Sequence, residues 1–240
     1  MRRSALGRTA AALALLASTF AASAVGGVAR TSADACTPRA GDVRFRASDG
    51  TRLVGHRFGK GRIAVVLAHE SRGSLCDWVP YAKRLAGRGY FALPFDFRGY
   101  GESQSGGARS SRFDLDVEAA AKEARALGAR KVFLVGASIG GSAALAAAAA
   151  TRPPVAGVVS VSGAADLVGA LDAAKRLTVP VLYLAGRFDP QFAADARRLY
   201  ATTAARDRKL DIIGRGEHGT ELVDASPKAR SAIESFLRSH

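Results

Sequence analysis

Residues 131–141 read KVFLVGASIGG, and this stretch is the strongest indication of the fold. The apolar run Lys131–Val135 has the length of a buried strand, and the Ala-rich run Ile139–Thr151 has the composition of a helix. Between them, residues 136–140 form the pattern G-x-S-x-G at the junction of strand and helix. Such a turn projects the serine hydroxyl above the sheet, so the pattern predicts that Ser138 is a nucleophile. The alternative is a glycine-rich turn with an incidental serine. A phosphate-binding loop is excluded because no G-K-[ST] follows.

The alternation of short apolar runs with helical segments continues on both sides of this turn. It predicts right-handed crossovers and an α/β fold with a mostly parallel central sheet and helices on both faces. We expect this fold to form a single domain over residues 36–240. The expected strands are Val43–Ala47, Leu53–Phe58, Ile63–Ala68, Phe91–Phe95, Lys131–Val135, Val155–Val161, Pro180–Ala185 and Lys209–Ile213. The expected helices are 76–87, Asp114–Leu127, Ile139–Thr151, about 165–175, Phe192–Thr202 and Leu222–Leu237.

A nucleophilic serine needs a base to take its proton and an acid to orient that base. Of the four histidines, His218 has the best position, because it lies between the last strand and the last helix in Gly-Glu-His-Gly. Asp189 follows the strand Pro180–Ala185 and is the candidate acid. The chain order Ser, Asp, His is the one expected for a serine on a strand–turn–helix. Asp166 is an alternative acid, and Asp189 also has the position of a helix N-cap.

The loop after the strand Ile63–Ala68 is the candidate for stabilising the negative charge that forms on the substrate during acyl transfer. Acyl transfer creates an oxyanion, which requires two preorganised N–H donors. We expect the backbone of Ile139 to supply one donor and that of Ser71 or Glu70 the other. The stretch DFRGYGES at 96–103 follows a neighbouring strand, and we interpret its Asp–Arg pair and glycines as turn scaffolding.

From about residue 43 to 237 the chain resembles the α/β-hydrolase superfamily. The resemblance is carried by five motifs in family order: HESRG (69–73), DFRGYGES (96–103), GASIGG (136–141), GRFDP (186–190) and GEHG (216–219). It implies the α/β-hydrolase fold, a catalytic triad of Ser138, Asp189 and His218, and Ile139 in the oxyanion hole. It implies nothing about the substrate.

The chain departs from the family pattern at two places. Many members have glycine after the first histidine of HESRG, where this chain has Glu70. An H-E-x-x-G start is similar to the dienelactone hydrolase branch, which implies a glutamate that modulates the nucleophile, although that branch usually has cysteine where this chain has Ser138. In addition, too few residues separate Val161 from Pro180 for a large cap domain. The site should therefore be open and suited to small soluble esters.

The first 35 residues have the pattern of an export signal. Three arginines precede the apolar run Ala10–Val25, and A-x-A cleavage signals lie at 22–24 and 33–35. We expect residues 1–35 to be a signal peptide and linker, cleaved near 24 or 35; the alternative is a membrane anchor. The mature protein would then be secreted or periplasmic, without stable membrane association. In an oxidising compartment Cys36 and Cys76 can form a disulfide, and the alternative is two thiols.

The charge and the remaining motifs limit the function classes. A net charge of +14 suggests nucleic acid, but the arginines are scattered and no nucleic-acid-binding motif is present, so we expect no nucleic-acid partner. No metal-binding or dinucleotide-binding pattern occurs, and we expect no cofactor. We expect an exported carboxylic-ester hydrolase that acts on a small-molecule acyl substrate through an acyl-enzyme. A thioesterase, lactonase, peptidase or acyltransferase would use the same groups, and a non-catalytic binding protein of this fold is the alternative from another class.

Overall fold

The computed structural model describes Cys36 and residues 41–240, and within them eight strands form one sheet. The strands are β1 (Asp42–Arg46), β2 (Arg52–His56), β3 (Ile63–Ala68), β4 (Phe91–Asp96), β5 (Lys131–Ala137), β6 (Gly157–Val161), β7 (Val181–Gly186) and β8 (Arg208–Ile213). Their order across the sheet is β1-β2-β4-β3-β5-β6-β7-β8. β2 pairs antiparallel with both β1 and β4, and every other pairing is parallel. The predicted mostly parallel sheet is confirmed.

Helices cover both faces of this sheet. They are α1 (Val79–Ala86), α2 (Phe113–Ala126), α3 (Ile139–Ala150), α4 (Ala170–Ala174), α5 (Pro190–Thr202), α6 (Gly219–Ala225) and α7 (Pro227–Ser239). One apolar core joins the sheet to α2, α3, α4 and α5, and a second core joins its other face to α1, α6 and α7. Within the part of the chain described here, none of the helices has the length and hydropathy to cross a membrane.

The last two helices differ from the prediction of one helix over Leu222–Leu237. α6 ends at Ala225, and α7 begins at Pro227. Proline has no N–H to continue the earlier helix, but it suits the first turn of a new one. The Ser226 hydroxyl accepts a hydrogen bond from the N–H of the third residue of α7, so this serine caps the second helix.

The segment between β6 and β7 is short and mostly irregular. The helix predicted at about 165–175 is present only as α4, because Val168 and Gly169 both have positive φ angles, 51° and 67°, which a right-handed helix excludes. With a single five-residue helix, this connection holds no cap domain. The expectation of an α/β-hydrolase fold without a large cap is confirmed.

Cys36 and Cys76 form a disulfide, with their Cα atoms 5.7 Å apart. The expected pairing is therefore confirmed. Cys76 lies in a short 3-10 helix, Leu75–Trp78, that directly follows the loop 69–73. The bond thus ties the segment before β1 to the end of the loop that follows β3.

A buried ion cluster fixes the loop after β4. The Arg98 guanidinium, which has no exposed side-chain surface, donates to Asp116 of α2 at 2.7 Å and to Asp49 of the β1–β2 turn at 2.8 Å. The hydrogen bond from Arg98 lowers the pKa of Asp49 to about 2. Arg98 therefore joins three separate segments, which supports the interpretation of DFRGYGES as scaffold.

Removing one partner of this cluster should destabilise the fold strongly. We expect Asp116→Ala to lower the free energy of unfolding by about 3–5 kcal/mol, because it leaves a buried guanidinium without its main partner. Urea denaturation measures this change. Asp172→Ala is the matched control, since it breaks the exposed Lys175–Asp172 pair and should cause no measurable loss. Equal stability of the two variants would show that the cluster is not a structural support.

Candidate active site

The turn between β5 and α3 holds Ser138 in a conformation that serine rarely adopts. Its φ is 52° and its ψ is −121°, and its backbone N–H donates to the carbonyl oxygen of Val161 at 2.8 Å. A Cβ atom on Gly136 would overlap the carbonyl oxygen of Gly140. The two glycines of the motif are therefore required by close backbone packing, which holds the strained serine in place. Ser138 retains 9% of its surface exposed.

The first turn of α3 packs against the end of β3. A Cβ atom on Gly140 would overlap the carbonyl oxygens of both Ala68 and His69. Ile139 is the first residue of the helix, where a backbone N–H has no acceptor in a preceding turn. The N–H of Ile139 and the loop 69–73 therefore belong to one small region beside Ser138.

His69 is a structural histidine in this region. Its Nδ1 donates to the carbonyl oxygen of Glu70 at 2.7 Å, and its Nε2 accepts from the N–H of Phe97 at 3.1 Å. Burial lowers its pKa to about 4, so the ring is neutral at neutral pH. His69 thus fixes the start of the loop and has no free nitrogen for catalysis.

The backbone N–H groups of Glu70 and Ser71, the two candidate oxyanion donors in this loop, make no hydrogen bond to another described residue. The loop itself is closed by the N–H of Gly73, which donates to the carbonyl oxygen of Glu70 at 3.1 Å. Ser71 is exposed. Both N–H groups are therefore free to bind a ligand, and both stay candidates for the second oxyanion donor.

The predicted base and acid are in direct contact. His218 Nδ1 lies 2.7 Å from Asp189 Oδ2, and the ring of Phe192 packs against the imidazole with centroids 4.2 Å apart. Asp189 occupies the N-cap position of α5, but its side chain makes no capping hydrogen bond, because it is turned to His218. This contact orients the imidazole and leaves Nε2 for another partner.

The alternative acid is engaged elsewhere. Asp166 is largely exposed and pairs with Arg198 at 2.9 Å. The two other histidines also have acidic partners away from Ser138: His56 pairs with Asp42 and His240 with Asp207. His218 is therefore the histidine that contacts Asp189, the predicted acid in the loop after β7.

The loop that carries His218 lies against the serine turn. The N–H of Gly219 donates to the Ser162 hydroxyl at 3.2 Å, and a Cβ atom on Gly219 would be 3.4 Å from the Cβ of Ala137. The Ser138 hydroxyl, however, makes no hydrogen bond to a described residue, so the contact with His218 is not formed. Such contacts are often long before substrate binds.

Ser162 is a residue of this region that the sequence analysis missed. It is fully buried, follows the end of β6 and has a φ of 49°, similar to that of Ser138. Its N–H donates to the carbonyl oxygen of Leu184 at 2.7 Å. A serine followed by glycine after a buried strand is the signal that could have identified it.

Glu70 connects the loop after β3 to the histidine loop. Its Oε1 accepts from the Thr220 hydroxyl at 2.6 Å, and its Oε2 is buried without a hydrogen-bond partner beside Gly219. Burial raises the pKa of this carboxyl. The sequence offered no signal for the role of Thr220. Among the residues described, no group of three or more His, Cys, Asp or Glu side chains could hold a metal.

Comparisons with known proteins agree with this architecture. A family model described as alpha/beta hydrolase fold matches residues 63–208. The chain is similar to an esterase from Pyrococcus furiosus, at 17% identity and a TM-score of 0.72, over 82% of this chain and 91% of the other. It is also similar to the esterase RhEst1 from Rhodococcus sp., at 19% identity and a TM-score of 0.64, over 83% and 99% of the two chains.

A third similar structure is Est1E from Butyrivibrio proteoclasticus, solved with ferulic acid bound. It has 19% identity and a TM-score of 0.65 over 81% of this chain and 99% of the other. No curated protein matches the chain by sequence. At these identities the structural similarities establish the fold alone.

The buried carboxyl of Glu70 should make stability depend on pH. A carboxyl whose pKa is raised in the folded state lowers the free energy of unfolding as pH rises from the ordinary pKa, 4.5, through the raised pKa. We therefore expect Glu70→Gln, which can still accept from Thr220, to be more stable than wild type at neutral pH. The gain should disappear below pH 4.5. Urea denaturation across pH measures it, and a gain that is independent of pH would contradict this reading of Glu70.

Proposed function

The chain belongs to the α/β-hydrolase fold family, and from that premise we propose that it is an exported serine hydrolase that cleaves carboxylic esters. The proposed triad is Ser138, His218 and Asp189. The main support for this triad is the 2.7 Å contact between His218 and Asp189. The loop that holds His218 lies against the strained serine turn. Two of the structurally similar proteins named above are esterases, which supports an ester as the substrate.

The proposed reaction has two halves. In the first, Ser138 Oγ attacks the ester carbonyl carbon while His218 Nε2 takes the serine proton. The tetrahedral intermediate then breaks the bond to the alcohol oxygen, which receives that proton from His218. In the second half, His218 takes a proton from water, the resulting hydroxide attacks the acyl-enzyme, and Ser138 leaves with the proton returned. Asp189 holds the imidazole and stabilises its protonated form.

The negative charge of each intermediate requires donors next to Ser138. The backbone N–H of Ile139 is the proposed first donor, because it opens α3 directly after the nucleophile. The second is the N–H of Ser71 or Glu70, neither of which donates a hydrogen bond to a described residue. His69 supports this arrangement by holding the Glu70 carbonyl oxygen, which fixes the loop.

Thioesters, lactones and peptides would be attacked by the same groups, so substrate class requires measurement. We expect p-nitrophenyl acetate to be hydrolysed, with kcat reduced about a thousandfold or more in Asp189→Asn and His218→Ala. Asp166→Asn is the matched control and should retain wild-type kcat. A panel of thioesters, lactones and peptides separates the alternatives. Folded protein that turns over none of these substrates would favour a non-catalytic binding role.

The export part of the proposal rests on the first 35 residues, which lie outside the described residues. The disulfide between Cys36 and Cys76 supports it, because such bonds persist in oxidising compartments. We expect protein expressed in an exporting bacterium to be recovered outside the cytoplasm. Its intact mass should be that of a chain that begins just after residue 24 or 35. Full-length protein retained in the cell would contradict this proposal.

A further inference from the structure

A cavity of about 310 Å³ lies next to the serine turn on the side of α2. Its apolar walls are Phe113 at the start of α2, Ile139 at the start of α3, and Leu167 and Val168 in the loop before α4. Ser138 is not part of the lining, but its neighbour Ile139 is. The cavity therefore begins at the residue that follows Ser138.

The topology indicates which part of an ester would occupy the cavity. Its walls come from α2, α3 and the loop before α4, whose helices pack on one face of the sheet. His218 instead lies at the start of α6, which packs on the opposite face. Because His218 must protonate the leaving alcohol, the alcohol lies towards α6. The acyl group of the ester then lies on the opposite side, towards α2.

Ser111, Arg112 and Asp114 also line the cavity. The two charged side chains neutralise each other, because the Arg112 guanidinium donates to the Asp114 carboxylate at 2.8 and 2.9 Å. With about 310 Å³, the cavity lies at the lower end of the size range of ligand pockets. We propose that the cavity is the acyl pocket of the enzyme and that it takes short, uncharged, apolar acyl groups. This inference rests on the proposed function.

The conformation of Val168 is independent support. Its φ is 51°, and a β-branched residue in this region is a genuine outlier. Such strain persists only where the surroundings hold it, and it concentrates at ligand-binding sites. Leu167, beside it, leaves 47% of its surface exposed at the cavity, and Phe188 is the other large hydrophobic residue exposed in the described part of the chain.

The test compares p-nitrophenyl esters that differ only in the acyl group. We expect wild-type kcat/KM to be about tenfold higher for the hexanoyl than for the acetyl ester. A monosuccinyl ester, which carries a carboxylate, should be poorer than the butyryl ester. Leu167→Ala and Val168→Gly should each lower the ratio of hexanoyl to acetyl kcat/KM about tenfold.

Phe188→Ala is the matched control, because Phe188 is equally apolar and even more exposed but lies outside the cavity. It should keep the wild-type ratio. Thermal unfolding verifies that each variant is folded, and Leu167 tolerates substitution because it is exposed. A ratio that is the same in all four proteins would overturn the acyl pocket while the proposed function stands. Absence of acetyl ester hydrolysis in the wild type would instead overturn the proposed function itself.

Discussion

The close backbone packing around Ser138 is the constraint on which the rest of the site depends. The serine can be held with a φ of 52° only because the glycines on either side let the end of β5, the first turn of α3 and the end of β3 meet without side chains between them. This contact also brings the N–H of Ile139 to the loop 69–73. A single packing arrangement therefore positions both the proposed nucleophile and the donors proposed for the oxyanion.

Buried polar groups hold the surrounding loops against this turn. His69 is neutral and bound at both nitrogens, Arg98 joins three segments, and Ser162 accepts from the residue that follows His218. Each would be costly to bury without its partner. Their role is to fix positions, whereas Asp189 and His218 are the acid and base of the proposed triad.

Most of the fold could be predicted because its signals are local. Buried parallel strands are continuous apolar runs, and the G-x-S-x-G turn and Asp189 each follow such a run. His218 follows β8, the more polar strand at the edge of the sheet. The break at Pro227 was also readable from sequence, although the prediction missed it. Ser162 had a local signal, the Ser-Gly pair after β6. The contact of Thr220 with Glu70 and the positive φ angle of Val168 were not predictable, because the contact joins distant segments and the φ angle does not follow from the residue type.

The proposed catalysis requires that His218 activates Ser138. Reaction of the purified protein with a fluorophosphonate, followed by mass spectrometric mapping of the adduct, tests this requirement, because the reagent reacts preferentially with activated serines. We expect one adduct on Ser138 that is absent in Ser138→Ala and strongly reduced in folded His218→Ala. Folded wild-type protein without an adduct, or labelling that does not depend on His218, would contradict it.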